Sequence, residues 1–118
     1  MEKRELGVLW REKMYFRSAD LFTKQNLIYI LWGSIYLVDK PYEVKRNYMD
    51  AYMLQYILEG KLHFKIRDKY FTVGKNELVI LNCKEKNHYW AEEQTKVKWF
   101  HFNGKIVENI IEYIYKNN

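Results

Sequence analysis

The run from Arg46 to Gly104 constrains this chain most, because short apolar stretches alternate there with turn residues at almost every break. Ala51 to Leu58 is apolar on both sides, with Tyr52, Leu54, Tyr56 and Leu58 on one face and Ala51, Met53, Gln55 and Ile57 on the other. Successive side chains of a strand point to opposite faces, so both faces of this one need cover. Glu59-Gly60 follows as a tight turn. Leu62, Phe64 and Ile66 then alternate with His63, Lys65 and Arg67, the mark of a half-buried strand. Further strands are expected at Tyr70–Val73, Glu77–Leu81, His88–Ala91 and Val97–Phe102, parted by polar or glycine-bearing turns. Upstream, Leu27 to Val38 is a long apolar, β-branched and aromatic run with Gly33 as a bend or bulge, and Asp39-Lys40-Pro41 turns the chain. This spacing predicts an all-β sandwich or barrel.

The two ends read differently. Asn103-Gly104 closes the sheet region, and from Lys105 the period changes: Ile106, Val107, Ile110, Ile111 and Ile114 recur at helical spacing. They predict an amphipathic helix of about three turns. Residues 1–26 are charged, and their apolar members Leu6, Val8, Leu9, Trp10, Met14, Tyr15 and Phe16 fit neither period. An arm that orders only on docking is expected there. The chain thus divides into an arm (1–26), a β body (27–104) and a helix (105–118).

A length of 118 residues argues for one domain, large enough to bury roughly two thirds of its unfolded surface. The aromatic share of 18%, with 11 Tyr and 4 Trp, suits a ligand cavity or an interface. The net charge of +5 is scattered among 15 acidic residues, which reads as a solvated surface rather than a nucleic-acid stripe. The single cysteine, Cys83, cannot form an internal disulfide and fits a reducing, cytoplasmic setting. No apolar run reaches membrane-span length, and Met1-Glu2-Lys3-Arg4-Glu5 does not read as a signal peptide.

Arg46, Tyr52–Gly60, Tyr70–Val73, Glu77–Leu81, His88-Tyr89 and Trp99–Gly104, in that order, resemble the AraC family of bacterial transcription regulators. The likeness is to the N-terminal effector-binding and dimerisation domain, and it covers about residues 27–117. It implies a mainly β, cupin-like jelly-roll barrel. Two places depart from the family pattern: Asn76-Glu77 stands where a Gly-Asp pair is usual, and Asn82-Cys83 where a proline is usual. The family also implies a C-terminal DNA-binding domain with two helix-turn-helix motifs. Nothing in these 118 residues reads as that domain, so any DNA contact is expected through a part outside this chain.

Metal-binding cupins present two histidines and a glutamate before the first barrel glycine and a third histidine later. Counted back from Gly60, those places fall near Asn47, Met49 and Met53, and only His88 matches the later histidine. One imidazole cannot supply the three or four ligands a transition metal wants. No metal, no cofactor and no cupin-type catalysis are therefore expected. No nucleophile–base pair, phosphate-cradling glycine loop or paired carboxylates stand out either.

The resemblance implies a ligand site. Arg46 matches an effector-contacting position, where its planar fork can give paired hydrogen bonds to sugar hydroxyls or a carboxylate; a surface or structural arginine is the alternative. Trp99 matches a tryptophan that stacks on a sugar face, against the alternative of a core filler. His101 shares a strand face with Trp99 and Val97, which would turn Phe100 and Phe102 outward beneath the helix. His88 and Tyr89 are neighbours and must face opposite ways; the family favours Tyr89 inside, the general cupin pattern His88. Ile106, Ile110, Ile111 and Ile114 either cap the barrel or form a homodimer interface, as helices at this end do in the family. The expected function is a non-enzymatic sensor of a small-molecule effector, a sugar foremost. A stand-alone binding cupin, or a metal-free sugar isomerase or epimerase, is the alternative.

Overall fold

A computed structural model describes residues 6–13, 15–16 and 19–117, with the backbone alone at 15–16. The expectations placed on Met1–Glu5 and Met14 lie outside the described residues. The elements run β1 (Val8–Arg11), β2 (Tyr15–Phe16), α1 (Leu21–Asn26), β3 (Tyr29–Val38), β4 (Glu43–Arg46), β5 (Tyr52–Glu59), β6 (Lys61–Ile66), β7 (Lys69–Gly74), β8 (Leu78–Asn82), β9 (Asn87–Trp90), β10 (Thr95–Asn103) and α2 (Val107–Asn117).

Turn chemistry sets the order of the strands. At Gly60, φ is +78°, and an added Cβ would fall 2.5 Å from the Gln94 carbonyl oxygen, so only glycine can carry the chain from β5 into β6. Arg67 and Asp68 both have positive φ, 49° and 63°, in the two-residue turn that pairs Ile66 with Lys69. Such primed turns match the right-handed twist of the strands they join. Asn76, at φ 66°, begins the return to β8, with Glu77 Oε1 accepting from the Gly74 amide at 2.8 Å.

From β3 onward the chain passes back and forth between two antiparallel sheets. The larger has the order β1-β3-β10-β5-β8, with β2 also paired to β3; the smaller has the order β4-β9-β6-β7. They stack face to face, the jelly-roll arrangement of a cupin. The expected barrel closure is not made: among the described residues no ladder joins one sheet to the other. The interval is instead filled by side chains, including Tyr36, Phe64, Tyr89 and Trp99, which hold the sheets apart. Gly33 sits where β3 meets β10; a Cβ there would lie 2.7 Å from the Phe100 Cβ, so glycine permits the close approach.

The arm expected to order on docking is seen docked, and it carries strands that its residue spacing did not indicate. β1 and β2 lie antiparallel along β3, and Val8 is buried in the core between the sheets. An open β3 edge would leave backbone donors and acceptors unpaired, and the arm satisfies them. α1 is a single short turn-and-a-half, capped by Asp20, whose Oδ1 accepts from the Thr23 amide at 2.8 Å. β4 was also unforeseen, since Glu43-Val44-Lys45-Arg46 holds one apolar residue.

α2 divides the isoleucine stripe. Val107 and Ile111 are buried on the outer face of the larger sheet against Tyr52 and Phe102, with Phe100 partly covered, as the outward placement of those phenylalanines requires. Burying a side chain such as Ile111 contributes roughly 1.5–3 kcal/mol. Ile106 and Ile110 remain about half exposed, at 50% and 49%, and Ile114 is partly buried. The stripe therefore acts first as a cap, because at 3.6 residues per turn positions 107 and 111 share one side while 106 and 110 share its flank. Arg67 ties the β6–β7 turn to this helix, 2.7 Å from Glu85 and 2.8 Å from Glu112.

Candidate functional site

Strand alternation sorts the residues singled out from the sequence. β4 pairs with β9 so that Arg46 lies opposite Asn87 and Lys45 opposite His88. Asn87 and Tyr89 are buried on the inner face of the smaller sheet, whereas His88 points outward. Of the two neighbours it is Tyr89 that lies between the sheets; His88 Nε2 lies 2.8 Å from Glu43 Oε2 on the outer face, with 28% of its side chain exposed. From the facing sheet, β10 sends Val97, Trp99 and His101 inward, all buried. Tyr36 packs edge-on to Trp99 at 5.2 Å between centroids, and His101 lies 5.4 Å from Trp99 and 4.4 Å from Trp32.

Met53 is where the two sheets meet chemically. Its sulfur accepts from Gln55 Nε2 at 3.4 Å and from the Tyr89 hydroxyl at 3.8 Å. Arg46 is half-buried nearby. Its Nη1 reaches Asn87 Oδ1 at 3.4 Å and Cys83 Sγ at 3.8 Å, both long for hydrogen bonds. Among the described residues no carboxylate forms an ion pair with it.

The electrostatics of this cluster are unusual. Burial works against the Arg46 charge, but Tyr89, Cys83 and Tyr42 outweigh it, so its pKa lies above the ordinary value. Those neighbours favour the guanidinium only as anions. Burial pushes both the Tyr89 phenol and the Cys83 thiol up, so both are neutral at pH 7. At that pH the guanidinium faces no counter-charge. His101 is lowered to about 4, by burial first and by Arg46 second, and is neutral as well. Its ring bonds to the Tyr52 backbone, while Nδ1 is buried without a partner. Trp99 Nε1 is likewise buried and unpartnered. Buried polar atoms in native proteins are nearly always satisfied; the Tyr52 hydroxyl and His63 Nε2 are the other two such atoms among the described residues, and they lie away from Arg46 on the outer faces.

An open cleft of about 590 Å³ leads from solvent to Arg46 and Asn87. Lys45, Lys65, Arg67, Lys86 and His88 rim it, against Asp68 and Glu85. A second cleft, of about 550 Å³, lies between β7, β8 and α2 and is mainly apolar, with Phe71, Val73, Val79 and Ile114 in its walls. Among the described residues no three His, Cys, Asp or Glu side chains cluster closely enough to hold a metal ion.

Arg46, Tyr89, Trp99 and His101 are thus brought to one interior region, and His88 is not. Sequence reasoning missed Asn87, Cys83 and Tyr42. Asn87 was within reach, because it lies two residues before Tyr89 on the same face. Cys83 and Tyr42 stand in connections between strands, where no period marks direction.

Stacked sheets of this order define a cupin, and solved structures share the fold. A cupin-superfamily protein from Desulfitobacterium hafniense matches with a TM-score of 0.58 at 13% identity, over 87% of this chain and 84% of that one. The cupin domain of an XRE-family transcriptional regulator from Enterobacter cloacae matches at 0.54 and 12% identity, over 70% and 84%. An HTH_3-family transcriptional regulator from Vibrio cholerae matches at 0.53 and 10% identity, over 59% of this chain but only 41% of its own. No curated protein sequence matches. The family model of the AraC-like ligand binding domain matches residues 34–115, and the chain belongs to that family.

Proposed function

We propose that this domain senses a small polar effector, of sugar size, for an AraC-type bacterial transcription regulator, and that it does so without catalysis. The carrying observation is the interior cluster: Arg46 without a counter-charge, beside unpartnered Trp99 Nε1 and His101 Nδ1. The effector enters by the cleft that ends at Arg46 and Asn87. Tyr89 and Trp99 give it aromatic surface, and Arg46, Trp99 and His101 give it hydrogen bonds. Binding changes regulation only if it favours one conformation over another. The strands β1 and β2, edge elements of the larger sheet, are parts able to report it, and DNA contact is not assigned to the residues described. The exposed flank of α2, with Ile106, Ile110 and Tyr113, serves the homodimer.

A thermal-shift screen against sugars, sugar acids, aromatic acids and fatty acids tests this reading. A true effector at a hundredfold excess over its Kd adds about 2.7 kcal/mol of stability, and Trp99→Phe, which keeps the ring bulk but loses the N–H, weakens it. A hit that Trp99→Phe leaves untouched places the site elsewhere. In sedimentation, Ile110→Asp converts a dimer to monomer; an unchanged dimer removes α2 from the interface.

A further inference from the structure

The charge pattern around Arg46 says more about the effector than its size does. A guanidinium carries five N–H donors in a rigid fork. Here Nη1 reaches a neutral amide oxygen at 3.4 Å and a neutral sulfur at 3.8 Å. The remaining neighbours are the Tyr89 phenol, pushed up by burial, and Tyr42. A half-buried cation whose neighbours are all neutral at pH 7 is costly unless an anion completes it. The approach repeats the pattern: with Arg67 and Glu85 paired to each other at 2.7 Å, and Arg67 also to Glu112, the cleft that holds Arg46 keeps Lys45, Lys65 and Lys86 against Asp68. Such a field draws anions inward.

We infer that the effector carries a carboxylate and that Arg46 is the group that pairs with it. This rests on the reading of the domain as an effector sensor. A carboxylate accepts two parallel bonds from the fork, which a neutral hydroxyl cannot do. The second requirement comes from His101. His101 Nδ1 is buried and has no partner among the described residues. It calls for a polar group such as a hydroxyl, which can both donate and accept. Trp99 Nε1–H, buried and unpartnered, calls for an acceptor oxygen. The cleft is lined by Arg46 and not by Trp99 or His101, so the carboxylate is the demand the geometry carries, and hydroxyls that reach the two buried atoms would favour a hydroxylated acid, such as a sugar acid, over a simple fatty acid.

Matched pairs test this with the whole chain: galacturonate with galactose, gluconate with glucose, and glycerate with glycerol, each by calorimetric titration at low and high salt. The expected result is an acid that binds at least tenfold more tightly than its neutral partner, with the advantage shrinking as salt rises. Arg46→Met abolishes that advantage while Arg46→Lys retains part of it. The wild-type ratio and its salt dependence need no variant, so a poorly folding substitution does not decide the matter. A neutral sugar that binds as tightly as its acid, or an acid preference that survives in folded Arg46→Met, overturns the carboxylate assignment and leaves the sensor reading standing. No binding by any pair, and none in the wider screen, overturns both.

Discussion

The outer face of the four-stranded sheet gathers Trp90, His63, His88 and Tyr70; its inner face gathers Tyr89, Arg46 and Asn87 opposite Trp99 and His101. Both look like ligand platforms in composition. On the outer face, His63 stacks on Trp90 at 5.7 Å and 17°, His88 lies 4.6 Å from Trp90, and each imidazole has a carboxylate beside it, Glu92 at 3.3 Å and Glu43 at 2.8 Å. His63 Nε2 is within ion-pair reach of Glu92 but is not aligned for a hydrogen bond. On the inner face the cation has no carboxylate and the imidazole is held neutral. The outer cluster keeps a carboxylate beside each imidazole even though His63 Nε2 makes no aligned hydrogen bond, and the inner one has none beside its cation. Residue type alone does not mark a site; the missing partner does.

Substitutions of equal size on the two faces should therefore diverge. Trp99→Ala removes a buried ring and should cost about 3–5 kcal/mol, whereas Trp90→Ala, losing partly exposed stacking, should cost about 1–2 kcal/mol. Equal losses in chemical denaturation would break the comparison.

His101 gives the next largest effect. Its folded pKa of about 4 lies below the ordinary 6.5, so the unfolded chain takes up its proton first as pH falls. Stability present above about 6.5 is lost progressively down to about 4, by up to about 3 kcal/mol. His101→Met should flatten that part of the pH profile; an unchanged slope would show that the imidazole is not held neutral. The smallest effect belongs to His88→Ala. Breaking an exposed pair with Glu43 should cost under about 1 kcal/mol and, because His88 stands only at the outer rim of the cleft, change effector affinity far less than Arg46→Met. A comparable loss of affinity there would return His88 to the site.

Much of this was legible in the residues. Period-two alternation placed Trp99 and His101 together, turned Phe100 and Phe102 toward the helix, and made His88 and Tyr89 exclusive choices. It did not reveal which of the two went inside, because that depends on the register of β4 against β9, and β4 has almost no apolar signature. The strands of the arm went unread for a related reason: Val8–Arg11 has too few residues to show a period, and its strand conformation comes from the β3 edge it completes. The absence of a counter-charge for Arg46 was not readable at all. It is a property of what stands around the guanidinium in space, including Cys83 and Tyr42 from connecting segments.

The most direct test of the interior site is a ¹H–¹⁵N titration that follows the four tryptophan indole resonances, with Trp99 assigned by its loss in Trp99→Phe. The account predicts that an effector found by the screen shifts the Trp99 Nε1–H signal strongly, as that buried donor gains an acceptor, while Trp90 and Trp10 stay in place. A shift confined to Trp90, with Trp99 unmoved at saturation, would put the ligand on the outer face and contradict it.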